Sequence, residues 1–326
     1  MRHSLKTTVV GAYPKISGER QDLRRALHKQ DRDELDEAGL GAVLDETTAW
    51  AIGEIESAGI DVINDGQIRW DDLLAPFARA WRNTERGSLE RFYDNNTYFR
   101  QPVISGPIES DGQTLVADYR KAKALAKREV KAAICGPLTF ASLTALDKHY
   151  KDLESRTLAV ADALAAELRG LGAAGATLVD VEEPALAAHP EHVDLARAAF
   201  DRLAKAGVAL SLQPYFFPID RILEELAAFP VAQLGVDVRS RETSAKAIDG
   251  LGAVKQIVVL GVIDARNTRL ETPREVGELV EAALKRVPAD RLWLATTTGL
   301  EYLPHDVAVR KLSGLTDALR SFGGVR

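Results

Sequence analysis

Eight short apolar runs recur along the chain, each followed by a segment with helical character. No other feature constrains the fold as strongly. The runs are 7–11, 61–66, 131–137, 177–184, 208–214, 233–238, 256–264 and 292–299. They are apolar nearly throughout instead of alternating, as expected of strands buried on both faces of a parallel sheet. Helical patterns fill the gaps at 19–28, 40–58, 116–131, 158–171, 195–206, 219–228, 244–251, 272–287 and 305–322. Connections this long exclude hairpins between successive runs. Eight such units predict an α/β fold, a (β/α)8 barrel of the TIM type, as one domain spanning 1–326. One stretch breaks the pattern. Residues 67–108 hold Trp70, Trp81, Phe92, Tyr93, Tyr98 and Phe99 among charges, with weak periodicity, and read as an insertion after strand two, with a short strand at 102–108.

In a parallel barrel, function gathers where the strands end. The run 177–184 delivers Glu182 and Glu183 just before Pro184, which stops the strand. The alternative is a solvated acidic turn. The other strand ends supply Tyr13 and Lys15, Asp65 and Gln67, Gln213 and Tyr215, Asp237 and Arg239, Asp264, Arg266 and Asn267, then Thr296, Thr297, Thr298 and Glu301. A polar, acid-rich ring of this kind predicts a site for a small polar ligand. Glu182, Glu183 and Asp264 are the candidate acid–base group, with at least one carboxyl raised by its like-charged neighbours.

Metal chemistry finds little here. The six histidines are His3, His28, His149, His189, His192 and His305, and none stands at a strand end. His189 and His192 are spaced like loop neighbours and read as a chance pair. Cys135 is the single cysteine, which rules out an intrachain disulfide and a multi-cysteine zinc site. No phosphate loop, dinucleotide fingerprint or nucleophile elbow occurs. A net charge of −6 without a basic stripe argues against nucleic acid as a partner. The polar start, 1–6, does not resemble a signal peptide, and no apolar run approaches the roughly 20 residues of a membrane helix. The expectation is a cytoplasmic protein with no membrane partner.

With these motifs placed, the chain resembles the cobalamin-independent methionine synthases over nearly its whole length. It is most similar to their N-terminal barrel. Gly11-Ala12-Tyr13-Pro14-Lys15 stands where that family has Gly-Phe-Pro-Arg, and Arg20-Gln21-Asp22-Leu23-Arg24-Arg25-Ala26 matches its basic first helix. Arg91-Phe92-Tyr93-Asp94-Asn95-Asn96-Thr97 matches Lys-Trp-Phe-Asp-Thr-Asn-Tyr. Glu182-Glu183-Pro184-Ala185-Leu186 matches Asp-Glu-Pro-Ala-Leu, and Ala265-Arg266-Asn267 matches Gly-Arg-Asn.

The resemblance implies 5-methyltetrahydrofolate, with its polyglutamate tail, as methyl donor, and no cofactor bound by the chain alone. It implies substrate contacts at Lys15, Arg20, Asp22, Arg24, Asp65, Gln67, Arg91, Asn96, Tyr215, Asp237, Arg266, Asn267 and Thr298. Arg20, Arg24 and Arg91 would receive the tail. The family's zinc ligands are replaced: Leu212 and Pro214 stand for His-x-Cys, Thr298 for the last cysteine, and Asp237 for the glutamate. The resemblance therefore implies no metal here and a separately encoded zinc-bearing barrel that supplies homocysteine. Two alternatives stay open, a zinc-independent enzyme on another small polar substrate and a non-catalytic folate-binding barrel.

Overall fold

The computed structural model describes residues 5–324 apart from 94, 146, 148 and 240–243. Asp94 of the aromatic motif and His3 fall outside the described residues. The strands are β1 (Lys6–Thr7), β2 (Val62–Ile63), β3 (Arg82–Arg91), β4 (Tyr98–Glu109), β5 (Glu129–Val130), β6 (Ala132–Cys135), β7 (Leu178–Glu182), β8 (Ala209–Gln213), β9 (Gln233–Asp237), β10 (Ile257–Ile263) and β11 (Leu292–Thr296). The α-helices are α1 (Asp22–Gln30), α2 (Glu37–Ser57), α3 (Ala75–Ala80), α4 (Val116–Leu125), α5 (Pro137–Leu143), α6 (Leu153–Ala173), α7 (Pro184–Ala188), α8 (Val193–Leu203), α9 (Leu223–Leu226), α10 (Ser244–Gly250), α11 (Pro273–Leu284) and α12 (His305–Gly324).

Seven strands pair in the order β1-β11-β10-β9-β8-β7-β6, all in parallel. The ring closes through the remaining position. Thr8, just beyond β1, bridges Val62 of β2, and β2 pairs with β5. β5 continues into β6 through Lys131, whose N–H donates to Ile63 O at 2.9 Å. The result is the (β/α)8 barrel, with β5 and β6 as two halves of one broken strand.

The helices lie outside the ring and start on sequence signals. Asp36 caps α2 through the Gly39 N–H, and Asp152 with Ser155 forms a capping box on α6. Thr272 and Glu275 do the same for α11, with Pro273 at its first turn. The helix expected over 116–131 ends at Leu125 instead. Residues 129–130 are needed as a partner for β2, and that pairing overrides the helical propensity of the basic run. Among the described residues, no helix is long and apolar enough to cross a membrane.

The 67–108 stretch contains α3 and an antiparallel hairpin of β3 and β4. Its base is tied to the barrel by Glu167 of α6. That buried carboxylate accepts from Trp81 Nε1 at 2.9 Å, Ser110 Oγ at 2.6 Å, Thr114 N at 3.0 Å and the Thr114 hydroxyl. Its tip reaches the mouth of the barrel. Phe92 meets Phe216 edge-on at 5.9 Å, and Tyr93 meets Phe217 at the same distance, both partners lying in the loop after β8.

The barrel interior is polar below the mouth. Lys131 Nζ lies 2.6 Å from Asp180 Oδ2, with side-chain exposures of 1% and 0%. Asp180 is two residues before Glu182 on β7, so both face the same side of the strand.

Candidate active site

A cavity of about 590 Å³ opens at the C-terminal ends of the strands, within the size range of small-molecule sites. Glu182 is among its lining residues, with Gln67 and Tyr215 beside it. Tyr215 donates its hydroxyl to Glu182 Oε2 at 2.6 Å, and Gln67 Nε2 donates to Oε1. Burial pushes the Glu182 carboxyl up to about 8. Glu301 and Asp180 add to the rise, and the hydrogen bonds from Tyr215 and Gln67 oppose it. Glu182 is therefore mostly protonated at neutral pH. Gly11 leaves room for it. Gly11 has φ +66° and lies so close to Gly299 that an added Cβ would stand 2.8 Å from the Gly299 Cα.

Lys15 and Glu301 line the same cavity. Lys15 donates to the Trp70 carbonyl, and burial lowers its pKa against the pull of Glu301, Asp71, Asp72 and Asp65. Burial raises Glu301, with Lys15 opposing. The walls are largely aromatic and apolar: Trp70, Phe92, Tyr98, Phe99, Tyr302 and Leu303.

Glu183 takes a different place. It accepts from the backbone N–H of Leu138 at 3.0 Å and of Thr139 at 2.6 Å, and from the Thr139 hydroxyl. It thus caps the first turn of α5 and does not line the cavity. Gly136 makes this possible, because a Cβ there would sit 2.4 Å from the Glu183 carboxyl. Burial pushes Glu183 up to about 7. The expectation that like charge would raise these carboxyls needs correction, since burial is the larger cause for both.

Asp264 does not join them. Its Oδ1 accepts from Arg266 N at 2.9 Å, and its own N–H donates to Glu271, a residue locked to buried Lys311. Asp65, Asp237 and Asn267 likewise fold back on the backbone N–H two residues on, at Gln67, Arg239 and Arg269. Thr298 is buried and does not line the cavity. Asn96 lines the cavity. The guanidinium of Arg266 lies 5.1 Å from the Phe216 ring.

The three arginines expected to share a patch are joined by no described hydrogen bond or ring contact. Arg20 stacks over Trp50 at 5.3 Å. Arg24 is exposed on α1, where Asp22 pairs locally with Arg25. Arg91 donates from Nε to Asn95 O at 2.7 Å.

Sequence reading passed over His305. It lines the cavity from the start of α12, with Nε2 2.7 Å from Glu54 Oε2. Tyr13 donates its hydroxyl to the same oxygen at 2.8 Å. Trp50 stacks on the imidazole at 4.9 Å, and Tyr13 meets it edge-on at 6.1 Å. The only available signal was a histidine directly after a proline, on the loop that leaves the last strand.

A family model described as the catalytic domain of cobalamin-independent synthase matches residues 5–320. The chain belongs to the cobalamin-independent methionine synthase family. That is a family of methyltransferases. The matching model is that of the catalytic domain, whereas the motifs resemble those of the N-terminal half; the family is common to both. A methionine synthase of Sulfurisphaera tokodaii is 27% identical over 310 residues, covering 94% of this chain and 89% of its own. One from Saccharolobus solfataricus is 26% identical over 334 residues, covering 97% and 94%. Among solved structures, the B12-independent methionine synthase of Shewanella sp. W3-18-1, in complex with selenomethionine, superposes with a TM-score of 0.84 at 20% identity. It covers 97% of both chains and shows the same fold.

The expectation that this chain lacks the zinc site of the family's catalytic half can be set against the side chains present. Leu212 is wholly buried hydrocarbon, Pro214 has no donor atom, and Thr298 offers a neutral hydroxyl. Asp237 alone retains a ligand type. Zinc in such sites takes nitrogen and sulfur donors, so this set does not fit it. Among the described residues, no three His, Cys, Asp or Glu side chains converge as a metal would require.

Proposed function

We propose that this chain is a cytoplasmic methyltransferase that moves a methyl group from a methyltetrahydrofolate-type donor to a homocysteine-type thiol, in the cavity floored by Glu182. The observation that carries the reading is the Glu182 carboxyl in the cavity lining, fixed by Tyr215 and Gln67, where burial pushes it up to about 8. A methyl group leaves a tertiary amine nitrogen readily only if that nitrogen gains a proton. A buried neutral carboxyl within a ligand cavity is the right acid for that step. The aromatic walls suit a flat heterocycle, and Lys15, Gln67, Asn96 and Tyr215 offer polar contacts. Kinship to proteins named methionine synthase supports the same chemistry. On this reading Glu182 is the catalytic acid, and Glu183 and Asp264 hold the framework.

A second reading has the thiol delivered by a separate zinc-bearing barrel. Leu212, Pro214 and Thr298, which cannot hold zinc, favour it. The deciding experiment supplies the purified chain with 5-methyltetrahydrofolate and homocysteine, with and without a zinc-bearing methionine synthase half. Methionine formed by the chain alone supports the first reading. Methionine formed only with the added half supports the second. None in either arm overturns both.

A further inference from the structure

A thiol must lose its proton before it attacks a methyl group, and the residues that would let zinc do this are missing. The cavity holds a different device. His305 stands in its wall with Nε2 against Glu54, which is fixed in turn by the Tyr13 hydroxyl. When Nε2–H donates to a carboxylate, the tautomer is set and Nδ1 keeps its lone pair. No described protein partner occupies Nδ1. Trp50 on one side and the edge of Tyr13 on another hold the ring plane. A carboxylate-oriented imidazole in a ligand cavity is the arrangement of a general base.

We infer that His305, positioned by Glu54, takes the proton of the acceptor thiol, so that this barrel activates the thiol without zinc. The inference rests on the methyltransferase reading above. The S–H proton passes to Nδ1 of His305. The sulfur lone pair forms the S–C bond to the methyl carbon as the C–N bond of the donor breaks. The C–N electron pair stays on nitrogen, which takes the proton of Glu182. His305 then holds one proton more and Glu182 one fewer, and water restores both after the products leave. Charged and titratable groups share the cavity lining with His305 or touch its partners, Tyr302 on its own loop among them. The others are Glu54 on α2, Tyr13 and Lys15 after β1, Glu301 on its own loop, Glu182 and Tyr215 across the cavity, Asp71 and Asp72 before α3, and Arg20 over Trp50.

The test measures methyl transfer from 5-methyltetrahydrofolate in metal-chelating buffer, with homocysteine and with its selenol counterpart, which is already ionised at neutral pH. His305→Asn should lose about 10²- to 10⁴-fold in kcat with the thiol. It should stay within about threefold of the parent with the selenol. Glu54→Gln should lower kcat with the thiol but not with the selenol while leaving KM for the donor unchanged, as a positioning residue does and a merely structural one does not. Donor binding by calorimetry confirms that both variants are folded. If His305→Asn keeps its rate with the thiol, or loses as much with the selenol as with the thiol, the inference falls and the methyltransferase reading stands. If the unaltered chain methylates neither acceptor, the methyltransferase reading falls and takes the inference with it.

Discussion

Tyr215 donates its hydroxyl to Glu182 across 2.6 Å, from just past the end of β8 to the end of β7. The bond stabilises the ionised form of a carboxyl that burial otherwise keeps protonated. Tyr215→Phe should therefore push the Glu182 pKa further up and move the alkaline limb of any activity it governs to higher pH. The loss of one buried hydrogen bond should cost about 1–3 kcal/mol of stability. Carboxyl-carbon NMR titration of Glu182 in the two proteins checks the direction. An unchanged or lowered value would contradict the assignment.

Glu182 and Glu183 also tie stability to pH. Their folded values, about 8 and about 7, lie above the ordinary 4.5. The folded state thus binds more protons than the unfolded chain across that window. Their contribution is fully present below about 4.5 and is lost as pH rises towards 7 and 8. Urea unfolding should show Glu182→Gln gaining on the parent steadily between about pH 5 and about pH 8. A constant difference across that range would count against a protonated Glu182.

The Lys131–Asp180 pair is fully buried, so removing one partner strands a charge. Lys131→Met should cost on the order of 3–5 kcal/mol. The double replacement Lys131→Met with Asp180→Leu should recover much of that loss, because desolvation of both ions disappears with them. Chemical denaturation of the single and double variants decides it. A double variant no more stable than Lys131→Met would show that the pair contributes more than mutual neutralisation.

The arginines expected to bind a polyglutamate tail should not act equally. Arg20 stacks on Trp50, which stacks on the cavity residue His305, whereas Arg91 is tied to the Asn95 carbonyl of its own hairpin. Calorimetry should show affinity rising modestly from mono- to triglutamate methylfolate, by no more than about fivefold per residue, as exposed ion pairs allow. Added salt should reduce the gain. Arg20→Ala should lose more of it than Arg91→Ala, and the reverse order would move the tail towards the hairpin.

The barrel was legible because most of its strands are buried on both faces and read as apolar runs with polar ends; β5, two residues long with Glu129 exposed, was not. The hairpin was less so. β3 is Arg-Asn-Thr-Glu-Arg-Gly-Ser-Leu-Glu-Arg, largely solvent-facing, and carries no apolar alternation to announce a strand. The two glutamates of one motif also parted. Successive side chains on a strand face opposite ways, so Glu182 enters the cavity while Glu183 turns to the start of α5. Sequence showed the acids but not which of them the barrel would bury in the site. The His305–Glu54 contact joins residues 251 positions apart on two helices, and no local pattern encodes it.

On the proposed function, a protonated Glu182 supplies the proton of methyl transfer. The most direct test of this is single-turnover methionine formation from 5-methyltetrahydrofolate and homocysteine, followed from about pH 6 to about pH 10. The rate should fall through about 8, where Glu182 ionises, and Glu182→Gln should be slower by at least about 10²-fold with that fall abolished. A rate that stays level through this range, or a Glu182→Gln protein as fast as the parent, would contradict the account.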